Sequence, residues 1–316
     1  MNQLKIVFFG SSYFSADFLE KILLDNDLKK ILEVKFVVTQ PDQKSGRKQI
    51  LTPTPTSNSA NKYNIECLKI DKFNFNENFK LKIENFDLCL VYAYGAIIPK
   101  EFLNLPKYGF WCIHPSLLPK YRGTSPMATS LINGDKKTGV TIIKMDEKID
   151  HGPIIDQDSY TILDTDYRTD LENKLTDLGF EMFKKVIKQK ILSEASTGGK
   201  RQETGPVFMS VEQNHADATY TKKLTKQDGF ISIENLKLVL SGVEGLKIEN
   251  SSKQLYDLFR GLYPWPGVWT ILPNGKRLKI TGMSLSTSHQ LLVTKVQLEG
   301  KTEIDFKTFN KAYNIF

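Results

Sequence analysis

Short apolar runs alternate with longer amphipathic stretches up to about residue 190, and this alternation most limits the possible fold. The strand-like runs are Leu4–Phe9, Val34–Thr39, Asp87–Ala93, Gly109–His114 and Gly139–Met145. Strands separated by helical patterns are typical of a mostly parallel sheet with helices on both faces. We therefore predict an α/β fold in which residues 1–192 form an N-terminal Rossmann-like domain.

The remainder of the chain has a different pattern. Residues 193–214 are rich in Ser, Thr, Gly, Lys and Glu, which is typical of a linker. Beyond them, alternating runs at Trp269–Leu272, Leu278–Met283 and Gln290–Leu298 indicate short strands. We expect residues 215–316 to form a smaller C-terminal β-barrel domain of OB-like type.

The composition narrows the class of protein. With 40% hydrophobic and 25% charged residues, the chain is typical of a soluble globular protein. It has no run of 18 apolar residues and no visible secretory leader, so we expect no membrane association. Cys67, Cys89 and Cys112 have neither paired nor metal-like spacing, which favours reduced thiols, a cytoplasmic location and no metal site.

Two further patterns bear on possible ligands. The turn Gly10-Ser11-Ser12 after the first strand lacks the G-x-G-x-x-G pattern, so we interpret it as a polar turn into a helix and do not expect a dinucleotide. The 43 Lys and Arg residues exceed the 36 Asp and Glu residues by 7. That excess is compatible with a polyanionic partner if the basic residues are clustered.

The most informative motif surrounds the end of the fourth of these strand-like runs. It reads Cys112-Ile113-His114-Pro115-Ser116-Leu117-Leu118-Pro119-Lys120-Tyr121-Arg122-Gly123. Side chains two apart on a strand share a face, so Cys112 and His114 point the same way. A histidine at the carboxyl end of a strand stands where open α/β sheets bind ligands, although a structural histidine that satisfies a turn is the alternative. The two prolines predict a rigid loop with backbone groups free to hydrogen-bond a flat heterocycle.

A candidate carboxylate follows the next strand. Asp150 stands beside Gly152 on a tight turn, from which it can reach His114 and fix its tautomer. Asp146 and Glu147 are expected to be solvated or turn-forming. We do not expect His151 to be catalytic, because neighbouring side chains in a turn diverge.

The His114 motif, the Met-Asp-x-x-x-Asp-x-Gly segment that contains Asp150, and the segment 94–99 together resemble the folate-dependent formyltransferases. The resemblance implies that His114 and Asp150 are catalytic and that Cys112 occupies the position of the family's asparagine. It implies 10-formyltetrahydrofolate as co-substrate and no metal. The residues implied to bind the co-substrate are Tyr94, Gly95, Ile97, Ser116, Leu117, Leu118 and Pro119.

Three segments, 39–49, 218–224 and 260–269, resemble the family members that act on tRNA. The implied reaction transfers a formyl group from 10-formyltetrahydrofolate to the α-amino group of methionyl initiator tRNA, and we expect the protein to be a monomer. The residues expected to contact the tRNA are Lys44, Arg47, Lys48, Lys222 and Lys223. A basic stripe near the linker, including Lys184, Lys185, Lys188 and Lys190, also suits an RNA backbone.

Cys112 leaves the catalytic outcome open. The family's asparagine donates an amide N–H to the formyl oxygen, whereas a thiol is a weak donor. Loss of one such donor typically costs about 10²–10³ in rate. The replacement of this asparagine by Cys112 has three possible outcomes: a slow enzyme, an enzyme in which another group replaces the donor, or a protein that binds without catalysis. Of these, we expect an active or weakly active enzyme. A sugar-amine formyltransferase and a catalytically impaired folate- or tRNA-binding homologue are the alternative functions.

Overall fold

The structure is a computed structural model that describes residues 3–46, 48–70, 75–196, 210–241, 252–286 and 290–316. The described residues form two compact units. The first comprises Met1–Gly123, Gly139–Tyr160 and Glu172–Tyr220, and the second comprises Thr124–Thr138, Thr161–Leu171 and Thr221–Phe316.

The strands are β1 (Leu4–Gly10), β2 (Leu32–Thr39), β3 (Gln43–Ser45), β4 (Ile50–Thr52), β5 (Glu66–Lys69), β6 (Leu88–Tyr92), β7 (Phe110–His114), β8 (Arg122–Gly123), β9 (Lys137–Lys144), β10 (Ile154–Thr161), β11 (Tyr220–Thr221), β12 (Val268–Ile271), β13 (Arg277–Leu285), β14 (Leu291–Leu298) and β15 (Glu303–Asp305). The helices are α1 (Tyr13–Leu24), α2 (Leu28–Ile31), α3 (Pro55–Lys62), α4 (Glu77–Ile83), α5 (Pro126–Ile132), α6 (Arg168–Ser196), α7 (Ile233–Ser241), α8 (Ser252–Leu262) and α9 (Phe306–Tyr313).

The main sheet has seven strands in the order β10-β9-β7-β6-β1-β2-β5. The pairings β2–β5, β1–β2, β1–β6 and β6–β7 are parallel, and β7–β9 is antiparallel. The sheet is therefore mostly parallel, which confirms the predicted fold class of the N-terminal part. The turn after β1 leads into a helix, as predicted, because the Ser12 side chain caps α1 by accepting from the Ser15 N–H over 3.1 Å.

Two neighbouring residues of β1 show that helices cover both faces of this sheet. Side chains of adjacent strand residues point to opposite faces. Phe8 stacks against Phe18 of α1 with ring centroids 6.2 Å apart, and Phe9 meets Phe79 of α4 edge to face at 6.4 Å. All four rings are buried, so each face of the sheet has its own aromatic core.

Helix α6 packs closely against the strand that carries the His114 motif. A Cβ on Gly179 would lie 3.0 Å from Cγ2 of Ile113, which is a tight contact, so glycine allows the helix to approach β7. The hydroxyl groups of Tyr92 and Thr176 hydrogen-bond over 3.0 Å and join the same helix to β6. These contacts fix the two strands whose carboxyl ends frame the candidate site.

The second unit contains a four-stranded antiparallel sheet in the order β12-β13-β14-β15. Its core includes Leu255 and Phe259 of α8 together with Phe309 of α9. This agrees with a smaller β-rich C-terminal part, while closure into a barrel stays a prediction. The domain boundaries at 192 and 214 also stay predictions, and residues 197–209 of the expected linker lie outside the described residues.

Candidate active site

His114 is the last residue of β7, and its side chain is buried with 5% exposed. Strand β7 lies inside the sheet, between β6 and β9. Because β6 and β7 are parallel, their carboxyl ends at Tyr92 and His114 lie at the same edge of the sheet. Open α/β sheets place their ligands at this edge.

Asp150 reaches His114 from the turn between β9 and β10. Its φ of 49° is left-handed, which aspartate tolerates better than most residues. A Cβ on Gly152 would lie 1.9 Å from the carbonyl oxygen of Lys144, so the turn requires glycine there. The backbone N–H of Gly123 donates to Oδ2 of Asp150 over 2.7 Å, and that oxygen lies 3.5 Å from Nδ1 of His114. The structure thus brings the two predicted catalytic residues together.

The second ring nitrogen of His114 determines its tautomer. Nε2 lies 3.0 Å from the carbonyl oxygen of Tyr121. A carbonyl oxygen only accepts, so Nε2 carries a hydrogen and donates it. In the neutral ring, Nδ1 then presents a lone pair to the Asp150 carboxylate at 3.5 Å. Two acceptors that face each other favour a proton between them, so this geometry can support general acid–base chemistry.

Cys112 shares the face of β7 with His114, as the spacing predicts. The residue is half-buried. Desolvation, and to a smaller extent the charge of Asp150, raise the pKa of the Cys112 thiol well above its ordinary value. The thiolate is therefore disfavoured at neutral pH, which argues against a nucleophilic cysteine. What the side chain offers at this position is a weak S–H donor.

The turn after His114 is braced by side chains from β9 and β10. The Thr141 hydroxyl donates to the Ser116 carbonyl over 2.6 Å and accepts from the Leu118 N–H over 3.1 Å. The amide of Gln157 donates to the Leu118 carbonyl over 2.9 Å. These three backbone groups are thus already hydrogen-bonded, and for them the expectation of free groups is wrong.

The side chains of the same turn differ in exposure. Ser116 is buried, and its hydroxyl donates to the Lys120 carbonyl over 2.7 Å. Leu118 is buried and precedes Pro119 through a cis peptide bond. Leu117 and Pro119 are half-buried. The turn therefore presents apolar side chains on a rigid backbone, which suits one face of a flat heterocycle.

The other segment predicted to contact the co-substrate follows β6. Tyr94 is buried; its hydroxyl donates to the Ile70 carbonyl, and its own carbonyl accepts from the Ser11 hydroxyl over 2.8 Å. Gly95 has a φ of 86°, a conformation that favours glycine. Ile97 is 71% exposed. Tyr94 thus anchors the segment, and Ile97 is the apolar side chain that it exposes beyond the end of β6.

Strands β3 and β4 pair antiparallel, with Gln43 opposite Thr52 and Ser45 opposite Ile50, and this pair is called the β3–β4 hairpin. Lys44 and Lys48 are exposed on it, and Arg47 lies outside the described residues. Ile50 and Leu51 are 60% and 62% exposed. The hairpin therefore exposes both basic and apolar side chains to solvent.

The predicted basic residues of the second unit lie near an acidic group. Lys222 forms an ion pair with Asp228 at 2.6 Å. Hydrogen bonds from Lys222 and Thr225 lower the pKa of Asp228 to about 2. Lys223 is exposed. The charge of Lys222 is therefore partly balanced within the chain.

Three lysines of the basic stripe on α6 also pair with acidic residues. The distances from Nζ to the carboxylate are 2.5 Å for Lys184–Asp25, 3.2 Å for Lys185–Asp156 and 2.7 Å for Lys188–Asp27. The side chain of Lys190 lies outside the described part of the chain. These ion pairs weaken the prediction of an RNA-binding stripe on this helix.

Several residues that support the site were given no role by the sequence. Thr141 and Gln157 brace the turn after His114, and Gln213 donates to the carbonyl oxygens of Asp150 and Gly152. The sequence contains one sign of a special role for Thr141, which is a polar residue inside an apolar strand. No local pattern points to Gln213, because Gly152, Asp150 and Arg122 are 61, 63 and 91 residues away from it.

The described residues lack two features that are typical of other classes of protein. Among them, no three His, Cys, Asp or Glu side chains are grouped so that they could hold a metal ion. No helix in the described ranges is long and apolar enough to cross a membrane.

His151 follows Asp150 in the sequence, and its Nδ1 lies 2.6 Å from Oδ2 of Asp146.

Comparison with known proteins agrees with this geometry. Residues 4–187 match the family described as Formyl transferase, and residues 245–291 match Formyl transferase, C-terminal domain. Among solved structures, a 4-N formyltransferase from Francisella tularensis superposes with a TM-score of 0.59 at 22% identity, covering 87% of this chain and 95% of that one. The sugar 3N-formyl transferase WlaRD superposes with a TM-score of 0.58 at 21% identity, covering 91% of this chain and 88% of that one. At these identities the two structures establish the fold alone.

Curated relatives are more similar in sequence. The methionyl-tRNA formyltransferase of Caldicellulosiruptor saccharolyticus is 37% identical over 89% of this chain and 80% of its own length. That of Bacillus subtilis is 34% identical over 87% of this chain and 77% of its own length. This chain is a formyl-transferring enzyme and belongs to the formyltransferase family, among the methionyl-tRNA formyltransferases.

Proposed function

We propose that this chain transfers the formyl group of 10-formyltetrahydrofolate to the α-amino group of methionine on initiator tRNA. The observation that carries the proposal is the approach of His114 Nδ1 to within 3.5 Å of Asp150 Oδ2 at the ligand-binding edge of the sheet. The identity of 37% to a methionyl-tRNA formyltransferase supports tRNA as the acceptor.

The catalytic pair is proposed to manage the proton of the attacking amine. An amine attacks a formyl carbon through its lone pair, so it must be neutral and must lose a proton as the new C–N bond forms. Nδ1 of His114 and the carboxylate of Asp150 are the acceptors for that proton. Tyr121 holds the ring through Nε2 at 3.0 Å, and Gly123 holds the carboxylate at 2.7 Å. Both acceptors are thereby oriented before the substrate arrives.

Cys112 is proposed to occupy the place of the donor to the formyl oxygen. Negative charge develops on that oxygen as the amine adds, and a positioned N–H donor stabilises it. The Cys112 thiol is protonated but donates weakly. We therefore propose an active or weakly active enzyme, in which the weak donor slows formyl transfer.

The formyl donor is proposed to bind between the two segments that follow β6 and β7. The co-substrate supplies the formyl group, and the residues proposed to hold it are Tyr94, Gly95, Ile97, Ser116, Leu117, Leu118 and Pro119. Exposed Ile97 and half-buried Leu117 provide apolar contacts. Of the polar groups, the Tyr94 hydroxyl donates within the chain, so we assign Tyr94 an anchoring role.

The tRNA is proposed to contact the β3–β4 hairpin and the C-terminal domain, taken as residues 215–316. Lys44 and Lys48 are exposed on the hairpin, with Arg47 between them in the sequence. Lys222 and Lys223 provide the basic groups of the C-terminal domain. We also propose that the protein is a monomer and that it is located in the cytoplasm. Light scattering of the purified protein tests whether it is a monomer.

The sugar-amine alternative is not favoured. The sugar formyltransferase structure cited above shares 21% identity, whereas the cited curated methionyl-tRNA formyltransferases share 34–37%. A direct test offers the enzyme charged initiator tRNA and, separately, a nucleotide-linked amino sugar, each with 10-formyltetrahydrofolate. We expect formyl-methionine and no formylated sugar. Formylation of the sugar without formylation of the tRNA would overturn the proposed acceptor.

A further inference from the structure

One buried side chain joins the Asp150 turn to a segment far along the chain. Gln213 is 5% exposed, and its amide nitrogen donates to the carbonyl oxygens of Asp150 over 3.0 Å and Gly152 over 2.7 Å. Its amide oxygen accepts from Nη2 of Arg122 over 2.7 Å. Both amide hydrogens and the oxygen therefore have partners.

These partners fix the orientation of the amide. A guanidinium group only donates, and a carbonyl oxygen only accepts. The amide oxygen of Gln213 must therefore face Arg122, and its nitrogen must face the turn. A glutamate of the same shape would keep the bond to Arg122 but would turn an oxygen toward two carbonyl oxygens.

Arg122 belongs to a three-residue segment that contacts both members of the catalytic pair. The Tyr121 carbonyl accepts from Nε2 of His114 over 3.0 Å, and the Gly123 N–H donates to Oδ2 of Asp150 over 2.7 Å. Between them, the Arg122 guanidinium holds the glutamine. The positions of the ring, the carboxylate and the turn are therefore linked through adjacent backbone.

The segment that carries Gln213 is itself fixed to the first unit. Val211 and Ile154 exchange two backbone hydrogen bonds of 2.8 Å each. Thr219 accepts from the Tyr121 N–H through its hydroxyl over 2.9 Å and from the Arg122 N–H through its carbonyl over 2.9 Å. The glutamine is thus presented from a segment anchored at both ends.

Other titratable groups surround this contact. Nη2 of Arg122 lies 2.9 Å from Nδ1 of His215, whose ring stacks on His151 with centroids 3.8 Å apart. Nδ1 of His151 lies 2.6 Å from Oδ2 of Asp146. Desolvation, His151 and Arg122 lower the pKa of His215, which favours the neutral ring that accepts from the guanidinium.

We propose that Gln213 is a positioning residue for formyl transfer, which holds the Asp150–Gly152 turn so that the Asp150 carboxylate stays beside His114. It acts through Asp150 and contacts no reacting atom. Its rate effect rests on the proposed function. Misplacing a catalytic group by about 1 Å can cost about 10²-fold in rate, so a small shift of the turn is measurable.

The test compares Gln213→Glu with the matched control Glu212→Gln, which makes the reverse change at the exposed neighbouring residue. We expect Gln213→Glu to lower the single-turnover rate of tRNA formylation by about 10- to 100-fold and to shift its pH profile, with tRNA affinity and circular dichroism unchanged. The shorter amide of Gln213→Asn should give an intermediate rate. A Gln213→Glu enzyme with the wild-type rate and pH profile, or one matched by Glu212→Gln, would overturn the proposal.

A second readout separates this proposal from the proposed function. The chain has 4 histidines, so isotope-labelled histidine resolves the His114 titration by NMR. Gln213→Glu should change that titration, and Glu212→Gln should not. If the wild type fails to formylate tRNA while the His114 titration moves, the proposed function fails and the positioning role stands. An unmoved titration removes the positioning role whatever the acceptor is.

Discussion

The backbone N–H of Gly123 donates over 2.7 Å to Oδ2 of Asp150, the oxygen that also lies nearest to His114. His114 is the third residue of the motif 112–123, and Gly123 is its last. One short segment therefore supplies both the histidine and the N–H group that orients the Asp150 carboxylate. The orientation of the pair therefore depends on the backbone geometry of this loop.

Removing the charge of Asp150 should slow catalysis strongly without unfolding the turn. Asparagine tolerates the φ of 49° and can still accept from Gly123, but it no longer places a carboxylate beside His114. We expect Asp150→Asn to lower the single-turnover rate by about 10²–10⁴-fold, the usual range for a general acid–base group. Affinity for tRNA, measured by filter binding, should not change. A near-wild-type rate would contradict the assigned role.

Gly152 should be intolerant of even one added carbon. The Cβ of an alanine would lie 1.9 Å from the Lys144 carbonyl oxygen, so the turn must shift. We expect Gly152→Ala to lower the free energy of unfolding by about 1–3 kcal/mol, as overpacking typically does, and to slow formylation. The control is Gly46→Ala, where a Cβ meets open space and the φ of 69° imposes only local strain. Urea unfolding with equal midpoints for the two variants would refute the steric argument.

The Cys112 thiol should resist alkylation as the pH rises. An ordinary thiol gains thiolate near its pKa of about 8.5. Desolvation and Asp150 raise the pKa of Cys112, so its thiolate should form only at higher pH. Labelling with iodoacetamide, followed by mass spectrometry from neutral to alkaline pH, should show Cys112 lagging behind free cysteine. A midpoint at or below that of free cysteine would revive a nucleophilic mechanism.

Lys44 should contribute to tRNA binding through its charge. Each phosphate contact adds about 0.7–0.9 to the slope of log affinity against log salt. Lys44→Ala should therefore weaken tRNA binding and reduce the slope by about 1, with no effect on folate binding. Lys185→Ala is the control, because Lys185 already pairs with Asp156 at 3.2 Å. Equal slopes for the wild type and Lys44→Ala would remove Lys44 from the interface.

The sequence was sufficient to predict the mostly parallel sheet and the approach of Asp150 to His114. Strand periodicity placed His114 at the end of β7, where open α/β sheets bind ligands. Because β9 is antiparallel to β7, Lys144 at the carboxyl end of β9 lies beside Trp111, and the segment 145–150 brings Asp150 to His114.

The long-range contacts of the site could not be predicted from local sequence patterns. Thr141 and Gln157 occupy the backbone groups of the Ser116–Pro119 turn, and Gln213 braces the Asp150 turn. The partners of Gln213 are brought together by the fold and not by sequence spacing. The ion pairs of the α6 lysines could not be predicted for the same reason, because their acidic partners lie in other parts of the fold.

The most direct test of the account is single-turnover formylation of charged initiator tRNA by the wild type and by Cys112→Asn, at saturating 10-formyltetrahydrofolate. We predict slow formation of formyl-methionine by the wild type and a gain of about 10²–10³ in rate for the variant, the usual value of one oxyanion donor. Absence of formyl-methionine from the wild type would contradict the claim that this chain is a methionyl-tRNA formylating enzyme.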